Sequence, residues 1–539
     1  MQLTNTNILD NPTVPAYLLE FLKNQKPPQK IHAGYLAELG KNALDAKNLN
    51  IDLENAGVQT RLQQRPAKKL DFDEVAVIIM SVYEFRKIRL SKWSADYLLG
   101  MYIDHGPRAG TYLTEKTELY SILELIAPKY TARNMDDVLD KIERIVPTVH
   151  TTEDSSLFIV NNGIYNQLTD QLLPFSSEYV YLMKIPVDYV SNPTNPVIIA
   201  EDGYQWDVDS WIESLAVDDE TNTLIWQVIA DTLQPSVSRN RSIWFYSESG
   251  NNGKGTIGQL IKNVLGVGNY ASLAVADFRH EFLKTSLIGI SANIADENDV
   301  DMYIDSVRDY KASITGDDIN INRKHEKPIT LQFKGTNIQM MNGLPKTRDK
   351  SDSFYRRIIL VPFIKSFTGN GQRPEIRDVY IARKDVLEYV LWKALHLQFT
   401  EFIIPDRSKL LLEDYRTMNN PVLQFWDEIA DQFVWDLLPT QFVYDLYLSW
   451  SNRNNPVGKP VSKRSFTDSL NVILQKSTEW DIKTGQDGQT RSVGKMDADE
   501  PLITEYELRG WTNKAYTGTN LVSLRAFTRS KVYRGYVRK

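Results

Sequence analysis

Short apolar runs that end at glycine, proline or charged residues recur along the chain. The run 243–246 is followed by the glycine-rich stretch 250–256, and residues 256–261 then have helical spacing. An apolar run of this length that is bounded by a turn is typical of a buried strand. The pattern therefore predicts a strand, a tight turn and a helix in immediate succession.

A second group of runs also predicts strands. Residues 287–295, 329–341 and 358–363 are rich in apolar and β-branched side chains. Residues 319–322 and 329–333 alternate apolar and polar positions, as the two arms of a hairpin do. The tip between these arms is rich in cations.

Residues 1–150 predict a mainly helical region. The apolar runs 18–22, 75–83 and 119–126 are separated by turn signals. No motif in this region indicates its role.

Asp71 and Asp73 have the Asp-x-Asp spacing of a polymerase metal site, which would indicate a primase. No third carboxylate or histidine in a strand context accompanies them. Both residues serve equally well as acids in the first turn of a helix. The helix interpretation is therefore favoured.

Amphipathic spacing returns near the end of the chain. Residues 439–450 predict one helix, and residues 459–470 predict a turn and a second helix with Ser462 as its N-cap. Together with a strand-rich basic end, this order predicts a winged helix whose second helix carries Lys463 and Arg464 into the major groove. A winged helix that binds protein instead of DNA is the alternative.

Length and composition mainly exclude a single-core fold and a membrane-spanning protein. A chain of 539 residues is too long for one core, so three or four domains are expected. With 42% hydrophobic and 24% charged residues it has the composition of a soluble protein, and we expect a cytoplasmic location. No apolar run approaches the roughly 20 residues that span a bilayer, and the first residues lack signal-peptide features. A membrane partner is therefore not expected.

Cysteine is absent, which excludes disulfides and thiolate zinc sites. The six histidines are scattered along the chain, so a histidine metal cluster is not expected either. A primase with its own zinc ribbon is therefore excluded.

The formal net charge is −7, but the cations are unevenly distributed. Residues 509–539 contain no aspartate or glutamate, and aromatic residues recur among their cations. Such a mixture favours phosphate contact together with stacking or packing. The basic residues of this stretch are Arg509, Lys514, Arg525, Arg529, Lys531, Arg534, Arg538 and Lys539. We expect duplex DNA to contact Arg525, Arg529, Lys531 and Arg534.

The glycine-rich stretch after the first predicted strand has the composition of a phosphate-binding loop. Glycines let backbone N–H groups converge on anionic oxygens, and a helix N-terminus adds the positive end of its dipole. A lysine in such a stretch neutralises the β- and γ-phosphates, so the pattern predicts ATP binding. The predicted nucleotide-binding residues are Gly250, Asn251, Asn252, Gly253, Lys254, Gly255 and Thr256.

Two positions depart from the usual spacing of such a loop. Glu248 stands where the first glycine is expected, and Gly255 stands where a hydroxyl normally holds Mg²⁺. Thr256, the next residue, is therefore predicted to hold the metal. An ordinary glycine-rich loop is the alternative for this segment alone, and the order of the later motifs disfavours it.

Two carboxylates follow the run 287–295. One can hold Mg²⁺ while the second polarises the attacking water. We assign the metal to Asp296 and the base to Glu297. A strand end with solvated acids is the alternative, and it is disfavoured after a lysine-bearing phosphate loop.

The later strands carry further polar residues. Asn342 follows the run 329–341 and can donate to the γ-phosphate or orient the lytic water. Arg356 and Arg357 precede the run 358–363. This pair is either a solvated edge or an arginine finger for a neighbouring subunit, an effect on the order of a thousandfold or more in rate.

Nucleotide chemistry does not need the cationic hairpin tip. Its residues Arg323, Lys324 and His325 form either a solvent-exposed surface tip or a loop in the central hole of a ring. In the second case the cations grip the phosphates of single-stranded DNA.

This order of motifs resembles the superfamily 3 helicases, which are ring-forming AAA+ motors. The wording at 314–318, 342–345 and 354–357 is similar to that of phage and plasmid primase–helicases. The tip 323–325 also resembles the DNA-gripping hairpin of papillomavirus replicative helicases. Residues 151–225 resemble the segment that precedes the motor in this family. More narrowly, the chain resembles replication helicases of staphylococcal mobile elements, such as cassette chromosomes and pathogenicity islands.

The resemblance implies an ATP-driven helicase that initiates replication of a mobile element. It implies a ring, most simply a homohexamer, because a finger must reach the neighbour's nucleotide. It also implies 3′ to 5′ translocation, with single-stranded and duplex DNA and host or element-encoded replication proteins as partners. Three alternatives stay open: an origin-binding ATPase switch without unwinding, a helicase–primase with a divergent N-terminal primase, and an ATP-dependent remodeller of protein.

The expected architecture is multidomain α/β. Residues 1–150 form a helical region of unknown role, and residues 151–225 form the segment before the motor. Residues 226–400 form the AAA+ motor, and residues 401–539 form the winged helix with its basic end.

Overall fold

The structure, a computed structural model, divides into two compact units, Met1–Lys409 and Leu410–Lys539. It describes residues 14–296, 298, 303–304, 307–324, 326–347, 349–369, 372–454, 460–482, 489–513, 515–520, 523–524 and 531–539. The predicted site residues that lie outside the described residues are Glu297, His325, Arg525 and Arg529. Both units contain helices and sheets, which confirms the multidomain α/β class.

Helices and a four-stranded sheet form the N-terminal region, residues 14–150. Its helices are α1 (Ala16–Lys23), α2 (Ala33–Asn55), α3 (Phe72–Val82), α4 (Lys116–Ile126) and α5 (Ala132–Ile145), with a 3-10 helix at Thr60–Leu62. Its strands are β1 (Phe85–Arg89), β2 (Leu98–Ile103), β3 (Thr111–Leu113) and β4 (Thr148–His150), in the order β3-β2-β1-β4. The helices at the three apolar runs are as predicted. The sequence pattern does not predict the sheet, because strands as short as β3 and β4 show no clear alternation.

The acids Asp71 and Asp73 lie at the start of α3. The Asp71 N–H donates to Glu74 Oε2 over 2.7 Å. Lys47 forms ion pairs with Asp71 at 2.5 Å and Glu74 at 2.9 Å, and Lys141 pairs with Asp73 at 2.9 Å. These contacts confirm the helix interpretation, because acids in a first turn and their lysine partners stabilise the helix end. The divergent-primase alternative gains no support from them.

Small antiparallel sheets and two helices connect this region to the central sheet. The strands are β5 (Leu157–Val160), β6 (Gly163–Asn166), β7 (Gln171–Leu173), β8 (Ile198–Ile199) and β9 (Gln205–Trp206), and the helices are α6 (Val208–Leu215) and α7 (Asp219–Thr232). Strands β5, β6 and β7 form one sheet, and β8 pairs with β9.

The central part of the first unit alternates strands and helices. In chain order its elements are β10 (Ser242–Tyr246), α8 (Lys254–Leu265), β11 (Tyr270–Ala271), β12 (Ala292–Ala295), β13 (Tyr303–Ile304), α9 (Arg308–Thr315), β14 (Asp318–Ile321), β15 (Ile329–Gln332), β16 (Thr336–Met341), β17 (Lys346–Thr347), α10 (Asp352–Tyr355), β18 (Ile358–Pro362), α11 (Pro374–Asp378) and α12 (Lys384–Leu395), with 3-10 helices at Val275–Arg279, Leu283–Leu287 and Tyr380–Ala382.

A five-stranded sheet in the order β11-β12-β16-β10-β18 forms the core of this part. Every neighbouring pair is parallel, so all five carboxyl ends lie at the same edge. Parallel strands are buried on both faces, which explains why their sequences are continuous apolar runs. Ile243 and Phe245 of β10 are fully buried, in one cluster with Ile257 and Leu260 of α8. The predicted succession of strand, turn and helix at 243–261 is therefore confirmed.

The predicted strand at 287–295 is wrong in its first half. Leu283–Leu287 form a 3-10 helix, and β12 begins only at Ala292. Gly289 has a φ of 68°, a left-handed conformation that interrupts an extended strand.

The predicted strand at 329–341 is two strands that belong to different sheets. Strand β15 pairs with β14 in the hairpin, and β16 lies in the parallel sheet. The chain changes sheets at Phe333–Gly335, where a Cβ on Gly335 would meet the Ser291 carbonyl oxygen at 2.3 Å. Glycine therefore permits an approach of two backbones that no side chain allows.

The second unit is a helical bundle covered by a small sheet. Helix α13 (Asp406–Asn419) contains the boundary between the units. The further elements are α14 (Pro421–Ile429), β19 (Leu437–Pro439), α15 (Thr440–Asn454), α16 (Lys463–Leu474), β20 (Trp480–Ile482), β21 (Gln489–Arg491), α17 (Leu502–Glu505) and β22 (Val532–Arg538), with 3-10 helices at Ala430–Gln432 and Arg509–Trp511. Strand β22 pairs antiparallel with β19, β20 and β21.

Helices α15 and α16 lie where the sequence predicts them. Ser462 is the N-cap of α16, and its Oγ accepts from the Ser465 N–H over 3.3 Å, as predicted. Phe425, Trp435 and Phe466 are fully buried in the aromatic core. Within the described ranges, no helix combines the length and the apolar character that a bilayer crossing requires.

Candidate functional site

The predicted phosphate loop connects the carboxyl end of β10 to the first turn of α8. Gly253 is the N-cap of α8 and has a φ of 85°, which side chains other than glycine rarely adopt. A Cβ at this position would also meet Leu215 Cδ2 at 2.4 Å. The N-terminus of α8 lies at the carboxyl edge of the sheet, directly after β10, where the positive end of the helix dipole favours an anion.

Side chains and backbone groups hold this loop in shape. Asn252 is buried, its Nδ2 donates to the Ser249 carbonyl oxygen, and its Oδ1 accepts from the Lys254 N–H over 3.3 Å. The Phe367 N–H donates to the Asn251 carbonyl oxygen over 2.7 Å. A loop braced in this way loses less conformational freedom when a ligand binds.

The amine of Lys254 is buried beside a neutral amide. The residue is 7% exposed, and its Nζ donates to Asn342 Oδ1 over 2.7 Å. Burial lowers the pKa of the Lys254 amine. Among the residues that the structure describes, no carboxylate pairs with this amine. A buried cation without an anionic partner is costly, so the site is suited to a ligand that carries negative charge.

Asn342 owes its position to strand order. Strand β16 lies between β10 and β12, so its carboxyl end stands between the phosphate loop and Asp296. Asn342 is exposed apart from its contact with Lys254. The structure therefore brings together the predicted lysine and amide, although they lie far apart in the chain.

Asp296 follows β12 at the same edge of the sheet. Its side chain is 57% exposed and forms an ion pair with Lys262, in the last turn of α8. Nearby, Asn298 Nδ2 donates to the Met340 carbonyl oxygen over 3.2 Å. Asn298 is therefore held beside β16 and Asp296 beside α8, while Glu297 lies outside the described residues.

The described donors fit Mg²⁺ only together with a ligand. In the described ranges, no group of three or more acidic or histidine residues could hold a metal ion. Mg²⁺ is commonly held by one or two carboxylates together with substrate phosphates and water. Asp296 and the half-buried Thr256, in the first turn of α8, suit that mode of binding.

The predicted arginine pair lies at the opposite edge of the sheet. Arg356 and Arg357 precede β18, whose first residue pairs with Ser242 at the start of β10. The five residues of β10 place the pair roughly 16 Å from the phosphate loop, because a strand rises about 3.3 Å per residue. Arg357 Nη1 donates to Ser353 Oγ over 2.9 Å, whereas Arg356 is exposed. Neither guanidinium reaches the loop of its own subunit.

The hairpin β14–β15 is formed as predicted. Its arms pair from Asp318 with Gln332 to Ile321 with Ile329. At the tip, Arg323 forms an ion pair with Glu326. Lys324 is exposed, and His325 lies outside the described residues. Of the predicted DNA-contacting cations at the tip, Arg323 is therefore engaged within the hairpin and Lys324 faces solvent.

The predicted DNA-binding residues of the second unit are exposed where the structure describes them. Lys463 and Arg464 lie in the first turn of α16, and Lys463 Nζ donates to Gln441 Oε1. Lys531 and Arg534 are exposed before and on β22. Arg525 and Arg529 lie outside the described residues.

The sequence analysis does not predict three cationic residues that lie near these sites. Lys262 pairs with Asp296. Arg377 of α11 is exposed, with Nη1 3.9 Å from where a Cβ on Gly255 would stand. Arg241 lies close to Arg356: burial lowers the pKa of Arg241, Glu401 acts against this shift, and the charge of Arg356 adds to it. The helical spacing of Lys262 from Lys254 is a weak local signal, and the other two have none.

Two segments of the chain match known families. Residues 245–357, from β10 to the arginine pair, match a family of unknown function, DUF5906. Residues 417–499 match the poxvirus D5 protein-like family. The D5-like match supports the resemblance to phage-type primase–helicases, and the assignment to staphylococcal elements stays a prediction. Each match covers less than half of the chain.

Solved structures of the NrS-1 C-terminal region are similar to the chain at low identity. The A-form apo structure is 15% identical, with a TM-score of 0.41, and covers 75% of this chain and 86% of that chain. An apo structure of residues 305–718 is 15% identical, with a TM-score of 0.41, and covers 73% of this chain and 96% of that chain. TM-scores of this size do not establish a shared fold. No curated protein matches the chain.

We expect nucleotide binding to be linked to proton uptake at alkaline pH. Burial lowers the pKa of the Lys254 amine in the free protein, whereas a triphosphate beside it favours the charged form. As pH rises through this lowered pKa, the free protein loses the proton and binding has to restore it. As pH is raised, the affinity for a non-hydrolysable ATP analogue should therefore begin to fall at a lower pH than it would if Lys254 titrated like an exposed lysine.

Titration calorimetry in two buffers of different ionisation enthalpy measures this uptake. Lys254→Arg keeps the charge over the whole range, so it should bind the analogue without taking up a proton. Equal proton uptake in Lys254→Arg and in the unchanged protein would assign the titration to another group.

Proposed function

We propose that the chain is an ATP-dependent, ring-forming DNA helicase that initiates replication of a mobile genetic element. The observation that carries this proposal is the separation of charges across one parallel sheet. The buried Lys254 lies without a described anionic partner at the carboxyl edge, and the exposed Arg356 lies at the amino edge of the same sheet. The D5-like match supports it, since that family is related to the superfamily 3 helicases.

The separation favours a site shared by two subunits. Arg356 cannot contact a nucleotide that is bound to the loop of its own chain, because β10 lies between them. A neighbour placed head to tail would receive it instead, and head-to-tail contacts that close generate rings. We propose a homohexamer in which Arg356 is the finger, Arg357 holds the turn through Ser353, and Arg241 adds positive charge beside Arg356.

At the carboxyl edge, each residue has a distinct task. Lys254 and the N-terminal end of α8 bind the β- and γ-phosphates, and Asn342 orients the γ-phosphate or the attacking water. Asp296 and Thr256 would hold Mg²⁺, which neutralises developing charge on the phosphates when it is bound. Lys262 competes for Asp296. Glu297 is the proposed base.

The hairpin tip is the proposed contact with single-stranded DNA. Lys324 is exposed at the end of a two-stranded stem, and a phosphate backbone in a central channel would meet it. Contact with the backbone makes such a grip tolerant of sequence and sensitive to salt. We propose 3′ to 5′ translocation from the family resemblance, with replication proteins of the host or the element as partners and a cytoplasmic location.

The second unit is the proposed winged-helix module for duplex DNA. Its order of helices α14, α15 and α16 is followed by a sheet in which β22 lies between β19 and β20. The solvent-facing start of α16 carries Lys463 and Arg464, and Arg534 is exposed on β22. We propose that α16 enters the major groove at the replication origin.

Lys254→Ala should lower ATP hydrolysis by on the order of a hundredfold or more, because the phosphate charge loses its buried partner.

Lys324→Ala with His325→Ala should keep ATP hydrolysis and lose unwinding of forked DNA, because only the contact with the DNA strand is removed. Steady-state ATPase and strand-displacement assays measure both effects. Lys384→Ala, which removes a surface pair with Asp188, is the control.

Wild-type turnover in Lys254→Ala would refute the motor assignment. Absence of unwinding in the unchanged protein, with ATPase intact, would favour the origin-binding switch. An ATPase indifferent to single-stranded DNA would favour a protein remodeller.

Two inactive variants should complement each other if the site is shared. Lys254→Ala inactivates its own loop but still supplies Arg356, whereas Arg356→Ala keeps its loop but supplies no finger. In an equal mixture of exchanging subunits, about one quarter of the interfaces contain an intact loop facing an intact arginine. We therefore expect about one quarter of the unchanged ATPase activity after mixing.

The control for this experiment is Arg357→Ala in place of Arg356→Ala. Its arginine is held within its own chain by Ser353, so mixing should restore no activity beyond that of the two separate variants. Complementation by Arg357→Ala alone would exchange the two assignments. Failure of both mixtures, with rings present by sedimentation, would refute a finger in trans.

Replacing Lys463 and Arg464 by alanine in the full chain should weaken duplex binding and lower its salt dependence. Loss of two phosphate contacts reduces the slope of log K against log salt by roughly 1.8. Fluorescence anisotropy at several salt concentrations measures this slope. Arg407→Ala with Lys409→Ala, two exposed cations of α13, is the matched control. An unchanged slope would favour a module that binds protein.

A further inference from the structure

The stem of the hairpin is attached to the N-terminal region of the same chain. The segment 90–97, which connects β1 to β2, lies along strand β15. The Gln332 N–H donates to the Leu90 carbonyl oxygen over 3.0 Å. Asp96 Oδ2 accepts from the Thr330 N–H over 3.2 Å and from Thr330 Oγ1 over 2.9 Å. One strand of the hairpin is therefore held at two successive outward-facing positions.

The other strand and the base of the stem are held as well. Ser91 Oγ donates to Asp318 Oδ1, at the start of β14, over 2.7 Å. Glu153 forms ion pairs with Lys92 at 2.5 Å and with Lys334 at 2.8 Å. These contacts involve both arms of the hairpin, so the stem cannot move relative to the N-terminal region without breaking several of them.

Asp96 is itself held in place by its own segment. Ser94 Oγ donates to Asp96 Oδ2 over 2.6 Å, and this hydrogen bond, followed by those from Thr330, lowers the pKa of the Asp96 carboxyl. The carboxylate is therefore charged at neutral pH, and hydrogen bonds to a charged acceptor are stronger than neutral ones. Asp96 therefore connects the segment 90–97 to strand β15.

The attachment leaves the tip free. Lys324 and Lys327 are exposed, and all the contacts above lie on the stem. A cleft of about 480 Å³ beside the tip is lined on the N-terminal side by Asp140 and Glu143. Acids outnumber the one lysine, Lys116, on that side, so the cleft disfavours phosphate, and the exposed face of the tip is left for DNA.

We propose that the N-terminal region is a brace that carries the DNA-gripping hairpin, with Asp96 as its positioning residue. The proposal rests on the proposed function, since it takes the tip to grip single-stranded DNA. A hairpin of two strands is only marginally stable by itself, so a tip that pulls on DNA needs support along its stem. The brace moves together with the hairpin and fixes the direction in which Lys324 points.

Asp96→Ala should weaken the grip without changing the chemistry. Basal ATPase activity should be unchanged, because Asp96 contacts Ser94 and Thr330, and neither residue belongs to the phosphate loop. The single-stranded DNA concentration that gives half-maximal ATPase stimulation should rise on the order of tenfold, since a charged hydrogen-bond acceptor is lost. Asp96→Asn, which keeps one accepting oxygen, should recover part of this loss.

Asp140→Ala is the matched control, because this acidic residue lines the same cleft and lies on the cleft's N-terminal side. It should leave half-maximal stimulation within about twofold of the unchanged protein, as surface substitutions usually do. An effect of Asp96→Ala no larger than that of Asp140→Ala would overturn the positioning role.

A disulfide distinguishes a brace from a lock that must open. The chain has no cysteine, so Ser91→Cys with Asp318→Cys gives one defined pair. If the two parts move together, the oxidised protein should unwind forked DNA at least half as fast as its reduced form. Unwinding that is lost on oxidation and restored by reductant would overturn the proposal and identify a lock.

Hydrogen exchange separates failure of the brace from failure of the proposed function. Asp96→Ala should increase exchange of the hairpin amides at 318–334 relative to Asp140→Ala, with or without DNA. Unchanged exchange would overturn the brace whatever the protein does with DNA. Increased exchange in a protein whose ATPase ignores single-stranded DNA would refute the proposed function, and the role of the brace in gripping DNA with it.

Discussion

The burial of one amine is the constraint on which the rest depends. Lys254 sits at the start of a helix and is 7% exposed, and its described partner is the amide oxygen of Asn342. Removing an ammonium from water is costly unless an anion compensates it. The packing of α8 against the sheet offsets the free-energy cost of burying this amine in the free protein. In the proposed function, a bound phosphate pairs with this amine, so that binding and charge neutralisation occur together.

The same sheet keeps the lysine and the arginines of the proposed reaction at opposite edges. Because all five strands are parallel, a residue that precedes a strand lies at one edge and a residue that follows a strand lies at the other. Lys254, Asn342 and Asp296 follow strands, whereas Arg241 and Arg356 precede them. In the proposed function, each subunit therefore supplies parts of two different sites. A ring is the arrangement that would combine these parts, and it is the basis of the proposed function.

The hairpin illustrates how the N-terminal region can contribute without chemistry of its own. Its acids Asp71 and Asp73 pair with lysines at the start of a helix. Its segment 90–97 instead provides hydrogen bonds to Thr330 and Gln332 on the hairpin stem. A region whose sequence carries no motif can still decide where a functional tip points.

Local patterns by themselves indicated the strand, loop and helix at 243–261, the hairpin arms and the Ser462 cap, because residue types within a few positions signal each of them. Tertiary structure alone decided the rest. The break at Phe333–Gly335 depends on the distant Ser291 backbone, and the closeness of Arg377 to Gly255 depends on how α11 packs. Periodicity reports which face of an element is buried, but not against which partner. Strand order supplies that partner, and it places the amide of Asn342 against the lysine.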